Sequence, residues 1–294
     1  MAWKCGPWTG WTRRWSACDE RARAGRVRQP AGRNELSVFV VIAGCLLSGA
    51  GIGFLGGLLG IGGGLIAIPT LGMVLDMEQQ MAQGTALVMV LPTVLVAVRR
   101  YHQRERIDLG VAAAGAIGAM SCTWIGALLA LGLEPLLLRR SFAVFLFCIG
   151  LYYVWQTWLR RRGPLPARSG PPPRVLTRAH ALALGMLSGL LGGFFGVGGV
   201  LLVVPIMTLV YRLSQTAAQA QALAMAIPGC VVALITYTWD GQADWLVGVP
   251  LAAGSLFCVP HGVRLAHKLP EVALRGAFAI MLFSTVVLLL FASA

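Results

Sequence analysis

The sequence predicts an all-α polytopic membrane protein made of two homologous repeats of four to five transmembrane segments, each repeat carrying a glycine-broken helix. Three observations predict it. Only 12% of the 294 residues are charged and the mean hydropathy is +0.75, whereas soluble domains carry roughly 25% charge. Apolar runs long enough to cross a bilayer recur along the chain. One unusual pattern also occurs twice, as "GGLLGIGGGLIAIP" from Gly56 to Pro69 and "GGFFGVGGVLLVVP" from Gly192 to Pro205.

Residues 1–35 form a basic tail, expected to be disordered. It is no signal peptide, because the apolar run behind it is too long and lacks a small-residue cleavage pattern. Residues 36–160 make the first transmembrane repeat, with charge-free runs over 36–75, 83–98, 109–133 and 141–159. A Pro- and Arg-rich linker, "RRGPLPARSGPPPRVLTR", occupies 161–178 and is expected on the cytoplasmic side. Residues 179–294 make the second repeat, with runs over 179–211, 217–239, 245–263 and 276–294. At about 20 residues per span, this amounts to roughly eight to ten crossings.

One constant separation of 136 positions relates the halves: Gly60 to Gly196, Pro69 to Pro205, Pro92 to Pro228 and Asp108 to Asp244. Between these anchors "AQGTALVMVLP" from Ala82 matches "AQAQALAMAIP" from Ala218. Internal repeats of this kind build many secondary transporters, whose substrate site lies where the halves meet. Topology follows from loop charge. Five crossings per half, with the segments on either side of the glycines counted separately, make the halves inverted. Basic loops 99–108, 160–178 and 264–275 then share the cytoplasmic side, and acidic loops 76–80 and 238–244 lie outside. A re-entrant glycine segment instead gives four crossings and parallel halves, with 238–244 and 264–275 contradicting the charge bias. Inversion is the better fit, although the arginine-rich tail does not conform to it.

The net charge of +13 does not indicate nucleic acid, since the arginines sit in the tail and in short loops, as on a cytoplasmic membrane face. Cys45, Cys122, Cys148, Cys230 and Cys258 are isolated in apolar runs, and Cys5 and Cys18 lack the spacing of a zinc site. Neither a disulfide framework, a metal nor another cofactor is expected.

Glycine serves two purposes in these repeats. Gly49, Gly53 and Gly57, like Gly185, Gly189 and Gly193, recur every fourth residue and form a groove for a neighbouring helix. "GIGFLG" at Gly51 also spells GxGxxG, but without a preceding strand it is no nucleotide fingerprint. Gly60, Gly62 and Gly63, and Gly196, Gly198 and Gly199, do not share one face, because neighbouring helical residues point about 100° apart. Each glycine costs roughly 1 kcal/mol against alanine in a helix, so three in four residues predict a break. Pro69 and Pro205 weaken the segment that follows. A break at membrane depth is tolerated where it is buried in protein or lines a cavity, which marks a site.

The missing residue types indicate what binds there. Apart from His261, Arg139 and Arg140, near the edges of spans, no ionisable residue clearly sits in the bilayer to build a cation cage or proton relay. A small anion needs none, because the first amides of a restarting helix offer free N–H groups and about half a positive charge. Gln83 and Thr85 in the first half, and Gln219 and Gln221 in the second, are the neutral donors expected to complete the shell. Interhelical hydrogen bonding explains the same four equally well.

The doubled GxxGxxxGxGGGxxxxP pattern, the AQGTxL element from Ala82 to Leu87 and the HxxxxxD element from His102 to Asp108 resemble the sulfite exporter TauE/SafE family. The resemblance implies a multi-pass protein of the bacterial inner membrane that transports sulfite, a sulfonate or another organosulfur anion. Three positions depart from the pattern: Val200 replaces a glycine, Gln221 stands opposite Thr85, and Thr238 opposite His102. His102, Asp108 and Asp244 stand as coupling candidates, with helix capping the cheaper account of both aspartates.

The function expected is therefore secondary transport of a small oxyanion within membrane lipid, with a homo-oligomer left open. The runner-up is a non-transporting subunit or scaffold. An enzyme is not expected, since the chain offers no GxSxG or HExxH constellation, and GxxxxGK[ST] is absent too.

Overall fold

The computed structural model describes residues 35–105, 107–161, 176–197 and 199–291. The expected basic tail and nearly all of the expected linker lie outside the described residues, as does Gly198. Residues 43–294 form one compact unit, to which the description below is confined.

Described residues outside the turns are helical: α1 Glu35–Leu59, α2 Gly64–Val74, α3 Gln79–His102, α4 Leu109–Leu131, α5 Pro135–Arg161, α6 Arg178–Phe195, α7 Val200–Val210, α8 Gln215–Trp239, α9 Trp245–Ala266 and α10 Glu271–Phe291. Eight contain a stretch long and apolar enough to cross a membrane. The other two, α2 and α7, have 11 residues each, about 16 Å of helix against a hydrocarbon core of about 30 Å. Many large apolar side chains, Leu47, Trp124, Phe147 and Ile280 among them, face outward. Exposed apolar surface on this scale suits lipid and would aggregate in water.

Small residues set the helix packing. A Cβ on Gly49, Gly53 or Gly57 would run into the backbone of Leu251, Ser255 or Val259, so α1 lies along α9 with residue numbers rising together. Gly185, Gly189 and Gly193 stand in the same way against Gly115, Ala119 and Thr123, and α6 lies parallel to α4. Moving each glycine 136 positions forward and each partner 136 positions back turns the first set of contacts into the second. Close backbone approach of this kind maximises dispersion contact where no hydrophobic effect drives helices together.

The registers also give directions. Thr93 bonds Ser255 at 2.7 Å and Thr85 bonds Asp244, so α3 runs with α9. Tyr101 meets Gln219 and Tyr237 meets Gln83, so α3 and α8 are antiparallel. Met225 lies against Gly115 and Thr123 against Gly229, so α4 runs with α8. Helices α1, α3 and α9 therefore point one way, and α6, α8 and α4 the other. The centre is α3 and α8, whose interior faces are almost wholly buried from Gln79 to Val90 and from Gln215 to Ala226. Helices α5 and α10 pack on each other, with Tyr153 and Phe278 ring centroids 4.5 Å apart.

Candidate functional site

Both glycine segments leave the helical path at the centre of the unit. Between α1 and α2, Gly60, Gly62 and Gly63 have φ of +65°, +73° and +83°. Between α6 and α7, Gly196 and Gly199 have φ of +70° and +65°. Residues with a Cβ are strained in this region, which accounts for glycine at all five positions. The N-cap residues of α2 and α7 are Gly63 and Gly199, which offer no side chain to the first amides. Ile66 and Leu202 donate to the Gly63 and Gly199 carbonyls. The amides before them, of Gly64, Leu65, Val200 and Leu201, have no acceptor within their own helices. The two segments meet: a Cβ on Gly64 would lie 3.6 Å from the Gly196 oxygen and 3.8 Å from Val197 Cα. Pro69 and Pro205 are buried inside α2 and α7. Lacking N–H, they leave the carbonyls of Leu65 and Leu201 without their usual helical donors.

A tyrosine and a glutamine hold each break. Tyr101 Oη lies 3.1 Å from both the Gly57 oxygen and Gln219 Oε1. Gln219 Nε2 donates to the Leu59 oxygen at 2.7 Å. These bonds satisfy carbonyls that the end of α1 leaves open. The matching set is Tyr237 Oη, 2.7 Å from Gln83 Oε1 and 3.1 Å from the Gly193 oxygen. The match fails at one atom. Gln83 Nε2 has no partner although its side chain is 0% exposed.

Thr85 and Gln221 serve the next loops. Thr85 Oγ1 accepts from the Asp244 amide at 3.0 Å. Gln221 accepts from the Asp108 amide and donates to the Asp108 carbonyl, both at 3.2 Å. Asp108 Oδ1 caps α4 through the Gly110 and Val111 amides at 2.9 and 3.2 Å, and Asp244 Oδ1 caps α9 through Leu246 and Val247 at 2.9 and 3.4 Å. His102 is exposed at the end of α3. The structure thus brings Gln83, Gln219 and the glycine segments together, and sets Thr85, Gln221 and the two aspartates at the adjoining helix starts.

The tyrosines were not among the residues anticipated from sequence. The signal was available, since Tyr101 and Tyr237 are also 136 positions apart and flank the matched core of α3 and α8. Among the described residues, side chains pack close on the glycines of the breaks. A Cβ on Gly60 would meet the Gln219 side chain at 2.7 Å, one on Gly62 would meet Val94 at 2.6 Å, and one on Gly196 would meet Gln83 at 2.9 Å. Side chains occupy the space beside these three glycines.

Several known proteins are similar to this chain in sequence. The chain is 24% identical over 233 residues to the "Probable membrane transporter protein YunE" of Bacillus subtilis, covering 74% of this chain and 85% of the relative. A "Probable membrane transporter protein" of Haemophilus influenzae is 26% identical over 263 residues, covering 83% and 96%. One from the archaeon Methanocaldococcus jannaschii is 22% identical over 251 residues, covering 81% and 89%. A family model described as sulfite exporter TauE/SafE matches residues 45–289, from within α1 to the last turn of α10. The glycine segments and the tyrosine–glutamine pairs fall inside that match, and the chain belongs to the sulfite exporter TauE/SafE family.

Proposed function

We propose that this chain is a secondary transporter of a small oxyanion, sulfite or an organic sulfonate, bound between the glycine segments of two inverted repeats. The observation that carries the reading is the unpartnered Gln83 Nε2, buried where the starts of α2 and α7 converge. An unused donor in a protein interior costs about 1–3 kcal/mol, and an anion removes that cost. The first amides of α2 and α7 add two helix-terminal partial charges, each strengthened by the low dielectric around it. Residues 36–160 and 179–294 act as the two moving halves, and 161–178 joins them.

The tyrosine bonds make natural gates. The Tyr101 bond joins the last turn of α3 to the first part of α8, and the Tyr237 bond joins the last turns of α8 to the first part of α3. Because α3 and α8 are antiparallel, the two bonds lie toward opposite ends of the helix pair. Releasing one while the other holds exposes the glycine site to one side of the membrane. The glycines, free to change φ, absorb the rotation of the short helices.

Flux of labelled sulfite and of an alkylsulfonate from proteoliposomes tests this. Anion efflux is expected, reduced tenfold or more in Gln83→Leu. Absence of flux for every oxyanion tried, with stoichiometric copurification of another protein, would overturn it in favour of a subunit role.

A further inference from the structure

The two tyrosine bonds resemble each other, but what lies against them does not. At the end of α9 the His267 ring packs on the Tyr101 ring, with centroids 5.1 Å apart and planes tilted by 46°. The residue 136 positions earlier is Leu131, which packs on the buried cluster that holds Tyr237. One tyrosine therefore meets an imidazole where the other sits among hydrocarbon.

The hydrogen bonding of His267 fixes where its next proton goes. Nδ1 lies 2.8 Å from the Val263 oxygen. A carbonyl only accepts, so Nδ1 carries the hydrogen of the neutral ring and Nε2 is a bare lone pair. Nε2 is buried without a partner, although the residue as a whole is half-buried. A proton added there brings a charge and an N–H to a place that offers no acceptor. The Tyr101 ring supplies a π face, which replaces only part of the water that an imidazolium loses.

The neighbouring charges do not answer this need. Arg264 and Lys268 on the same turn are exposed, as are Arg99, His102 and Arg104 at the end of α3, and Arg100 is half-buried. Of the carboxylates in the loop after α3, Glu105 Oε1 accepts from Thr216 at 2.6 Å and Asp108 Oδ1 caps α4. The stretch of α1 beside Gly262, Phe54 to Leu58, carries no charge. Glu271 and Arg275 follow in the first turns of α10.

The Val263 bond and the negative end of α9 belong to the helix that carries His267, so they accompany the ring whatever Tyr101 does. What changes with Tyr101 is the cover. While Tyr101 is bonded to Gly57 and Gln219, Nε2 is shut from water; release of those bonds lets water reach it. A ligand shifts an equilibrium by its differential affinity for the two states, and a proton on Nε2 favours the released one.

We propose that His267 is the proton site of the transporter, coupling protonation to release of the Tyr101 bond, and that the Tyr237 bond, with Leu131 in the matching place, is insensitive to protons. The proposal rests on the reading of the Tyr101 bond as a gate. Histidine changes charge between about pH 5 and 8, so acid on the side of basic loops 99–108 and 264–275 opens that gate.

Methanesulfonate, whose charge does not change in this range, is the flux probe, in proteoliposomes with equal pH on both sides. Wild-type flux is expected to rise about fivefold from the alkaline to the acid end. His267→Leu, which copies Leu131, should flatten the profile, and His261→Gln, at an exposed histidine of the same helix, should keep it. Histidine-selective NMR of the full chain in detergent is the second arm, its signals assigned by substituting each of the four histidines. Tyr101→Phe keeps the ring and removes the bonds, so by reciprocity His267 should bind its proton about fivefold more tightly in that variant. A flat wild-type profile, or a folded His267→Leu protein with the wild-type pH response, would overturn the proposal. If methanesulfonate moves at no pH, the transport reading fails and the NMR arm alone decides: tighter proton binding in Tyr101→Phe upholds the link between His267 and the tyrosine bond, and unchanged binding overturns it.

Discussion

Replacing Tyr237 by Phe removes one hydroxyl from a place where its partner has no substitute. Gln83 Oε1 accepts from Tyr237 at 2.7 Å, and Gln83 Nε2 is already unpartnered, so the mutant leaves an entire carboxamide unserved in a side chain of 0% exposure. Hydrogen bonds between membrane helices average about 0.6 kcal/mol and reach about 1.7. Stranding a buried acceptor costs about 1–3 kcal/mol. A loss of about 2 kcal/mol is therefore expected. Tyr101→Phe should cost less, about 1 kcal/mol, because Gln219 keeps its 2.7 Å bond to the Leu59 carbonyl.

The assay is a double-mutant cycle on thermal unfolding of the purified chain, with Tyr237→Phe, Gln83→Leu and the pair. Removing both polar partners leaves neither stranded, so the double mutant should be more stable than additivity predicts by about 1 kcal/mol. In proteoliposomes the same Tyr237→Phe change should raise leak of the substrate, as a gate that holds less firmly. Additive effects within error, or Tyr101→Phe costing as much as Tyr237→Phe, would refute the account of these bonds as unequal locks.

Three other outcomes are expected. Gly189→Ala should lower stability by about 1–3 kcal/mol through overpacking, because its Cβ would strike the Ala119 backbone, while Gly51→Ala, with nothing within 4 Å, should be neutral; unfolding midpoints compare them. Gly62→Leu should abolish the anion-dependent rise in melting temperature expected of the transporter, since φ of +73° and Val94 at 2.6 Å exclude a side chain; a folded mutant with the same response would reduce these glycines to packing. Asp108→Asn retains an Oδ1 acceptor for the Gly110 and Val111 amides, so stability and flux should both persist, and loss of flux in a folded mutant would make Asp108 a coupling residue.

Composition and period made the helical membrane architecture legible, since runs such as 83–98 and 109–133 read directly as α3 and α4. The fourfold glycine spacing identified a packing face, and α1 and α6 use it against α9 and α4. What periodicity cannot carry is which helix lies in the groove: nothing local to Gly53 names Ser255 as its neighbour. The same limit hid the tyrosines. Tyr101 looks like a loop-edge aromatic beside Arg99 and Arg100, and its place against Gln219 exists only after α3 and α8 are laid antiparallel. Thr85 and Gln221 were legible as polar residues in apolar surroundings, yet their partners are backbone groups at Asp244 and Asp108, which composition does not distinguish from ligand.

The exchange of helices between halves gives the glycine segments their leverage. α1 packs along α9, and α6 along α4, so each broken helix is braced by the half to which it does not belong. If the two halves move as proposed, a shift of one relative to the other cannot leave its glycine segment behind. The glutamines reinforce this link, since Gln219 of the second half holds the Leu59 carbonyl of the first, and Tyr237 of the second half holds Gln83 of the first. Were both links equally strong, the closed form would have no preferred side on which to open. The unpartnered Gln83 Nε2 makes them unequal by the strength of one hydrogen bond, about 1 kcal/mol or a factor of about five, and an anion bound there would reduce the difference. On the proposed transport reading, ligand and gate meet at one carboxamide, which is the condition for occupancy to bias the direction of opening.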